Sequence, residues 1–128
     1  IRRAIEKNSP YEVWGTGEDV WDFFHVTDLA RGCLLMLEMH AQCDPVNLGY
    51  GQGTAIKELV GLILKAAGHE TARVEYSTTK QTTAPIRLVD TAKAQQLLGF
   101  TPTVSLVDGL VDTVDWYASS AQTASNRR

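Results

Sequence analysis

The chain has 128 residues, 44% of them hydrophobic and 21% charged, with a formal net charge of -3 and a pI near 5.5. That length suits one domain able to bury roughly two-thirds of its unfolded surface. The charge balance and the absence of a long apolar run exclude a disordered chain, a membrane-spanning chain and a general nucleic-acid binder, which would carry a basic field. Cys33 and Cys43 are too few for a disulfide framework and read as reduced thiols of a cytoplasmic protein.

In chain order, residues 1–7 read as a helix with Ala4 and Ile5 apolar, ended by Asn8-Ser9-Pro10. Tyr11 to Trp14 alternates as a short strand, and Gly15-Thr16-Gly17 makes a tight turn. Phe23, Phe24 and Val26 read as a buried strand, followed by Thr27 as N-cap and Asp28 in the first turn of a helix. Leu29, Cys33, Met36, Leu37 and His40 recur at helical spacing, predicting a helix over 28–41 with one buried face and Cys33 on it. Val46 to Leu48 reads as a strand entering the glycine-rich stretch 49–53. Thr54 can then cap a helix over 54–67 that buries Ile56, Leu59, Val60 and Ile63 and stops at Gly68.

Arg73 to Tyr76 reads as a strand and Ser77 to Thr83 as an exposed loop. Asp90 or Thr91 caps a helix over 91–98, which Gly99 stops. Ser105 and Asp108 resemble a capping box opening a helix over 105–118 that buries Leu106, Leu110, Val114 and Tyr117. Alternating short strands and amphipathic helices give an α/β domain over 1–118, with 119–128 as a polar, flexible tail.

Few residues are arranged for chemistry. His25, His40 and His69 fall on different elements without metal-ligand spacing, so no metal site is expected. The strand-glycine-helix layout of 46–56 resembles a phosphate-binding loop and would suit an independent dinucleotide-binding protein. It lacks the third glycine of a dinucleotide fingerprint and the acidic residue about twenty positions on. Trp14 and Trp21 flank the first glycine turn and could form a stacking surface for a base or sugar ring.

Two stretches carry a family resemblance. Asp22, Phe23, Phe24, His25, Val26, Asp28, Leu29 and Ala30 resemble the segment of the extended short-chain dehydrogenase/reductase family, which includes nucleotide-sugar epimerases, dehydratases and the GDP-fucose synthase type. Arg87, Asp90, Lys93, Ala94, Leu98, Gly99, Phe100 and Pro102 resemble the family's C-terminal block, and Asn47, Leu48, Gly49 and Gly51 its structural glycine turn. The resemblance implies the C-terminal substrate-binding portion of that fold, without its N-terminal Rossmann half. It also implies that Trp14 lies beside the substrate and that Arg87 reaches the diphosphate, a role suited to the forked guanidinium. Trp21 stands where the family carries an arginine, so binding of a nucleotide-diphosphate sugar is expected to be weak or lost.

The sequence holds neither the family's NAD(P) fingerprint nor its helical Tyr-x-x-x-Lys pair. Tyr76 and Lys80 have that spacing, but at a strand end, where positions four apart do not share a face. No catalytic residue and no cofactor bound by this chain alone are therefore expected, NAD(P) being implied for a complete enzyme. Two readings follow: a nucleotide-sugar-binding portion of such an enzyme, inactive alone, or a non-catalytic module that keeps the fold and self-associates. Either a homo-oligomer or a separate Rossmann half would cover its apolar surface.

Overall fold

The computed structural model describes residues 1–79 and 84–125. In order these form α1 (Arg2–Ile5), β1 (Tyr11–Trp14), β2 (Val20–Asp22), α2 (Val26–Met39), β3 (Gly53–Ala55), α3 (Ile56–Ala66), β4 (Val74–Ser77), β5 (Ile86–Arg87), α4 (Ala92–Leu98) and α5 (Leu106–Ser125). The strands make two small sheets. In one, β1 and β4 run parallel; in the other β2 lies between β3, antiparallel to it, and β5, parallel to it.

Two apolar clusters hold these elements. Alternation along β1 turns Tyr11 and Val13 inward, where they meet Val60, Ile63 and Leu64 of α3, Leu110 of α5 and Ala4 of α1. The second cluster centres on Ala94, Leu98 and Phe100, with Phe24, Leu35, Met36, Val46 and Leu48 packed around it. Gly32 lets α2 approach this cluster, since a Cβ there would lie 2.8 Å from Leu48 Cδ1 and 3.1 Å from Phe100.

Turn chemistry sets most helix ends. Gly68 (φ 62°) follows α3, and the His69 N–H reaches back to the Leu64 carbonyl at 2.7 Å. Gly99 (φ 60°) ends α4, and the Asp90 carboxylate accepts the Ala92 N–H at 2.9 Å. Ser105 and Asp108 form the expected box, the Asp108 N–H donating to Ser105 Oγ at 3.1 Å.

Several expectations are corrected. The Phe23–Val26 strand is displaced to Val20–Asp22, because β3 and β5 offer partners only that far; Phe23, Phe24 and His25 continue half-buried without a ladder. Helix α2 accordingly starts at Val26, with His25 as N-cap, and Thr27 bonds His25 Nδ1 at 2.8 Å instead of capping. Cys33 is exposed. The face of α2 that this chain covers is Asp28, Gly32, Leu35 and Met36, while Val26, Ala30, Cys33 and Leu37 form a second, exposed stripe, with Leu37 71% exposed. Val46 to Leu48 has no ladder among the described residues; Val46 and Leu48 pack on the second cluster, and Asn47 Nδ2 donates to the Asp90 carbonyl at 3.5 Å. Thr54 lies in β3 rather than capping α3, whose N-cap is Ala55. Helix α5 runs past 118 into the expected tail, as far as Ser125. Lys80 and the 80–83 part of the expected loop lie outside the described residues, as do 126–128.

The connection from α2 to the C-terminal block is ionic as well as apolar. Asp28, 1% exposed, accepts the Thr103 N–H (2.9 Å), the Thr103 hydroxyl (2.9 Å) and the Val104 N–H (3.0 Å), and pairs with Arg31 Nη2 at 2.8 Å. Arg31 also donates to the Thr101 carbonyl and lies over the Phe100 ring at 4.9 Å. Burial alone would raise the Asp28 pKa, but these donors outweigh it and hold the carboxyl well below the usual carboxylate range. A group with a depressed folded-state pKa stabilises fully above its unfolded value of ~3.9 and loses that contribution as pH falls toward the folded value. Asp28→Asn, which sets an amide against backbone donors, is expected to cost about 2–4 kcal/mol in denaturant unfolding and to flatten the acid limb of stability below about pH 4. Unchanged stability and an unchanged acid limb would show that the carboxylate does not hold α2.

Candidate functional site

The turn at 15–19 carries the chain from the end of β1 in one sheet to the start of β2 in the other, so Trp14 and Trp21 sit on different sheets. Gly17 (φ 81°) lies against the Tyr76 ring, where a Cβ would come within 2.4 Å of Cε1. The turn is held to the first residues of α3: the Lys57 N–H donates to the Gly17 carbonyl and the Ile56 N–H to the Asp19 carbonyl, each at 2.9 Å. Lys57 Nζ also meets both Glu18 carboxylate oxygens at 2.9 Å, a hydrogen bond and ion pair that raise the lysine pKa.

Of the three residues singled out from the sequence, the structure brings Trp21 and Arg87 together. They are register partners on the parallel strands β2 and β5, and the guanidinium carbon lies 5.1 Å from the centroid of the Trp21 ring. The indole is itself fixed, donating from Nε1 to the Ala84 carbonyl at 3.1 Å and meeting Phe23 at a ring separation of 6.2 Å. Trp14 is 57% exposed at the end of β1, in register with Ser77 of β4, in the sheet that does not carry Trp21 and Arg87. One face of Trp21 is thus covered by arginine rather than open for a base, which narrows the stacking reading to Trp14 or to the other face of Trp21.

Asp22, the residue after Trp21, governs the second glycine loop. Its carboxylate accepts the N–H of Tyr50 at 3.0 Å and of Gly51 at 2.9 Å. A Cβ at Gly49 would lie 2.6 Å from the same carboxylate and 2.3 Å from Val89, so the close approach requires glycine. The loop amides that a pyrophosphate would need are bonded to an aspartate of the chain itself, and residues 53–55 continue as strand β3 rather than opening a helix. This loop does not fit a dinucleotide. Its acidic partner escaped the sequence reading because a carboxylate on the far side of α2 in the chain, paired only through folding, has no spacing signature.

Other sequence candidates fall apart in space. Tyr76 lies on β4, not on a helix. His25 packs on Gly109, with the ring 3.1 Å from a Cβ built there, in keeping with a structural role. Among the described residues no group of three histidine, cysteine or acidic side chains could hold a metal, and no helix is long and apolar enough to cross a membrane. An open apolar depression of about 550 Å³ lies between α2 and α5, lined by Phe24, His25, Val26, Asp112, Thr113 and Trp116.

Comparison with known proteins agrees with the resemblance in the sequence. Residues 1–49 match the NAD dependent epimerase/dehydratase family. The chain is 42% identical over 105 residues to GDP-L-fucose synthase 1 of Arabidopsis thaliana, covering 82% of this chain and 32% of that protein. It is 38% identical, with the same coverages, to dTDP-glucose 4,6-dehydratase of Streptomyces griseus. The crystal structure of UDP-glucose 4-epimerase with UDP-glucose from Thermotoga maritima superposes with a TM-score of 0.83 at 29% identity, over 93% of this chain and 38% of that one. The chain therefore spans about a third of the length of the curated relatives it matches. In sequence and fold it belongs to the NAD-dependent epimerase/dehydratase family of extended short-chain dehydrogenases, as a GDP-fucose synthase-like member.

Proposed function

We propose that this chain is the nucleotide-sugar-holding portion of an NAD(P)-dependent epimerase, dehydratase or reductase, with the cofactor held by polypeptide outside it. The observation that carries this reading is Arg87 fixed over Trp21 on adjacent strands, in a fold shared with an epimerase that holds UDP-glucose. A guanidinium there would meet the diphosphate through its N–H fork, and Trp14, at the exposed end of β1, would lie toward the sugar or base. The sequestered Gly49–Gly53 loop supports placing the cofactor elsewhere, and the chain alone is then inactive. One cation in place of two makes the affinity weak.

Titration with GDP and UDP is expected to quench tryptophan fluorescence with a dissociation constant in the range of about 0.1 to 10 mM. Arg87→Ala is expected to weaken that binding roughly ten-fold or more, the loss of a charge-assisted hydrogen bond worth about 1.5–3 kcal/mol. Trp21→Arg is expected to strengthen it, because a second guanidinium outweighs one ring contact. Absence of any spectral change at millimolar nucleotide would remove the nucleotide-sugar reading.

A second reading, self-association without a working pocket, is favoured by one observation: the exposed stripe of Val26, Ala30, Cys33 and Leu37 on α2, beside Trp116, which is 67% exposed. Apolar stripes of this kind are seldom left in water. On this reading the isolated chain sediments as a dimer or larger at high micromolar concentration, and Leu37→Lys shifts it to monomer. A monomeric wild-type chain at that concentration would set the reading aside.

A further inference from the structure

We propose that Trp21 is a positioning residue for Arg87: its indole holds the guanidinium over β2 and β5, so that Arg87 meets an anionic phosphate already ordered. The inference rests on the reading of Arg87 as the phosphate ligand of the site. Strand β5 is only two residues long and Arg87 is exposed, so the backbone alone does little to order its side chain. The ring supplies what the backbone lacks. Trp21 sits opposite Arg87 in the parallel register, with the guanidinium carbon 5.1 Å from the ring centroid.

The indole is anchored from the approach to β5 itself. Its Nε1–H donates to the Ala84 carbonyl at 3.1 Å, and the Val20 N–H donates to the neighbouring Pro85 carbonyl at 2.8 Å, so the turn that delivers Arg87 is tied at two points to the strand that carries Trp21. An exposed arginine samples many rotamers, and ordering it on ligand binding costs affinity. A guanidinium resting on an aromatic face has given up part of that freedom beforehand. It uses its π face for the ring, while the in-plane N–H groups are the ones whose geometry matches a phosphate. Trp21 is on this account a buttress of the cation rather than a platform for a base.

The test combines NMR of the Arg87 Nε–Hε group with titration of inorganic pyrophosphate. In the wild-type chain the Hε resonance is expected upfield of the other exposed arginines, from the indole ring current. Trp21→Leu is expected to return it to their position and to weaken pyrophosphate about two- to five-fold, the size of an exposed cation–π contact. Trp21→Phe, which keeps a ring, is expected to recover most of both effects, and in an Arg87→Ala background Trp21→Leu changes affinity no further. Should Trp21→Leu unfold, Arg87→Ala, a change at an exposed position, reports the same contact by moving the Trp21 indole N–H resonance in the absence of ligand. An unshifted Arg87 Hε in a chain that binds pyrophosphate, or an equal loss from Trp21→Leu with and without Arg87, overturns the positioning role. A shifted Hε in a chain that binds no pyrophosphate overturns instead the reading of Arg87 as a phosphate ligand.

Discussion

The carboxylate of Asp28, buried at the first turn of α2, gathers donors from Arg31, Thr103 and Val104, and through them fixes where the C-terminal third of the chain can lie. A buried charge without partners would cost several kcal/mol, so the loop at 101–104 has one low-energy place, against the start of α2. That place puts Phe100 into the second apolar cluster beside Gly32 and sets Ser105 to open α5, whose Leu110 completes the first cluster. The two clusters are thus joined by an electrostatic contact as well as by apolar packing.

A second aspartate does a comparable job beside the candidate site. Asp22 ends β2 and draws the 49–51 loop onto itself, which leaves Trp21, one residue earlier, facing β5 and Arg87. The same bonds decide between two uses of a glycine-rich loop. Amides that face an anion from solvent make a phosphate site, whereas amides already bonded to a carboxylate make a brace. Here they make a brace, and the proposed anion contact is instead the Arg87 side chain on β5, the strand beside β2.

Local signals in the sequence located most of what is local. The cores of the four longer helices, the Ser105 box and the Gly68 and Gly99 stops depend on residues a few positions apart, and each stands where spacing puts it. Features set by distant partners were not legible. Val46–Leu48 has strand-like residues but no neighbouring strand among those described, and the ladder on β2 stops at Asp22 because its partners stop there. Cys33 lies on one of two apolar faces of α2, and periodicity cannot tell which of them this chain covers. Arg87 and Trp21 were each marked by resemblance to a family pattern, yet their contact joins strands separated by two helices, two strands and the loops between them, so only the fold reveals it.

On the proposed function, an anionic nucleotide meets this chain at the β2–β5 strand pair and not at the glycine loop. Backbone amide chemical-shift mapping with GDP tests it most directly. The largest shifts are expected on Trp21, Arg87 and the residues from Trp14 to Gly17, with Tyr50 and Gly51 nearly unmoved. Shifts centred on residues 49–53 would contradict it, since they would mean that the nucleotide displaces Asp22 from the loop amides.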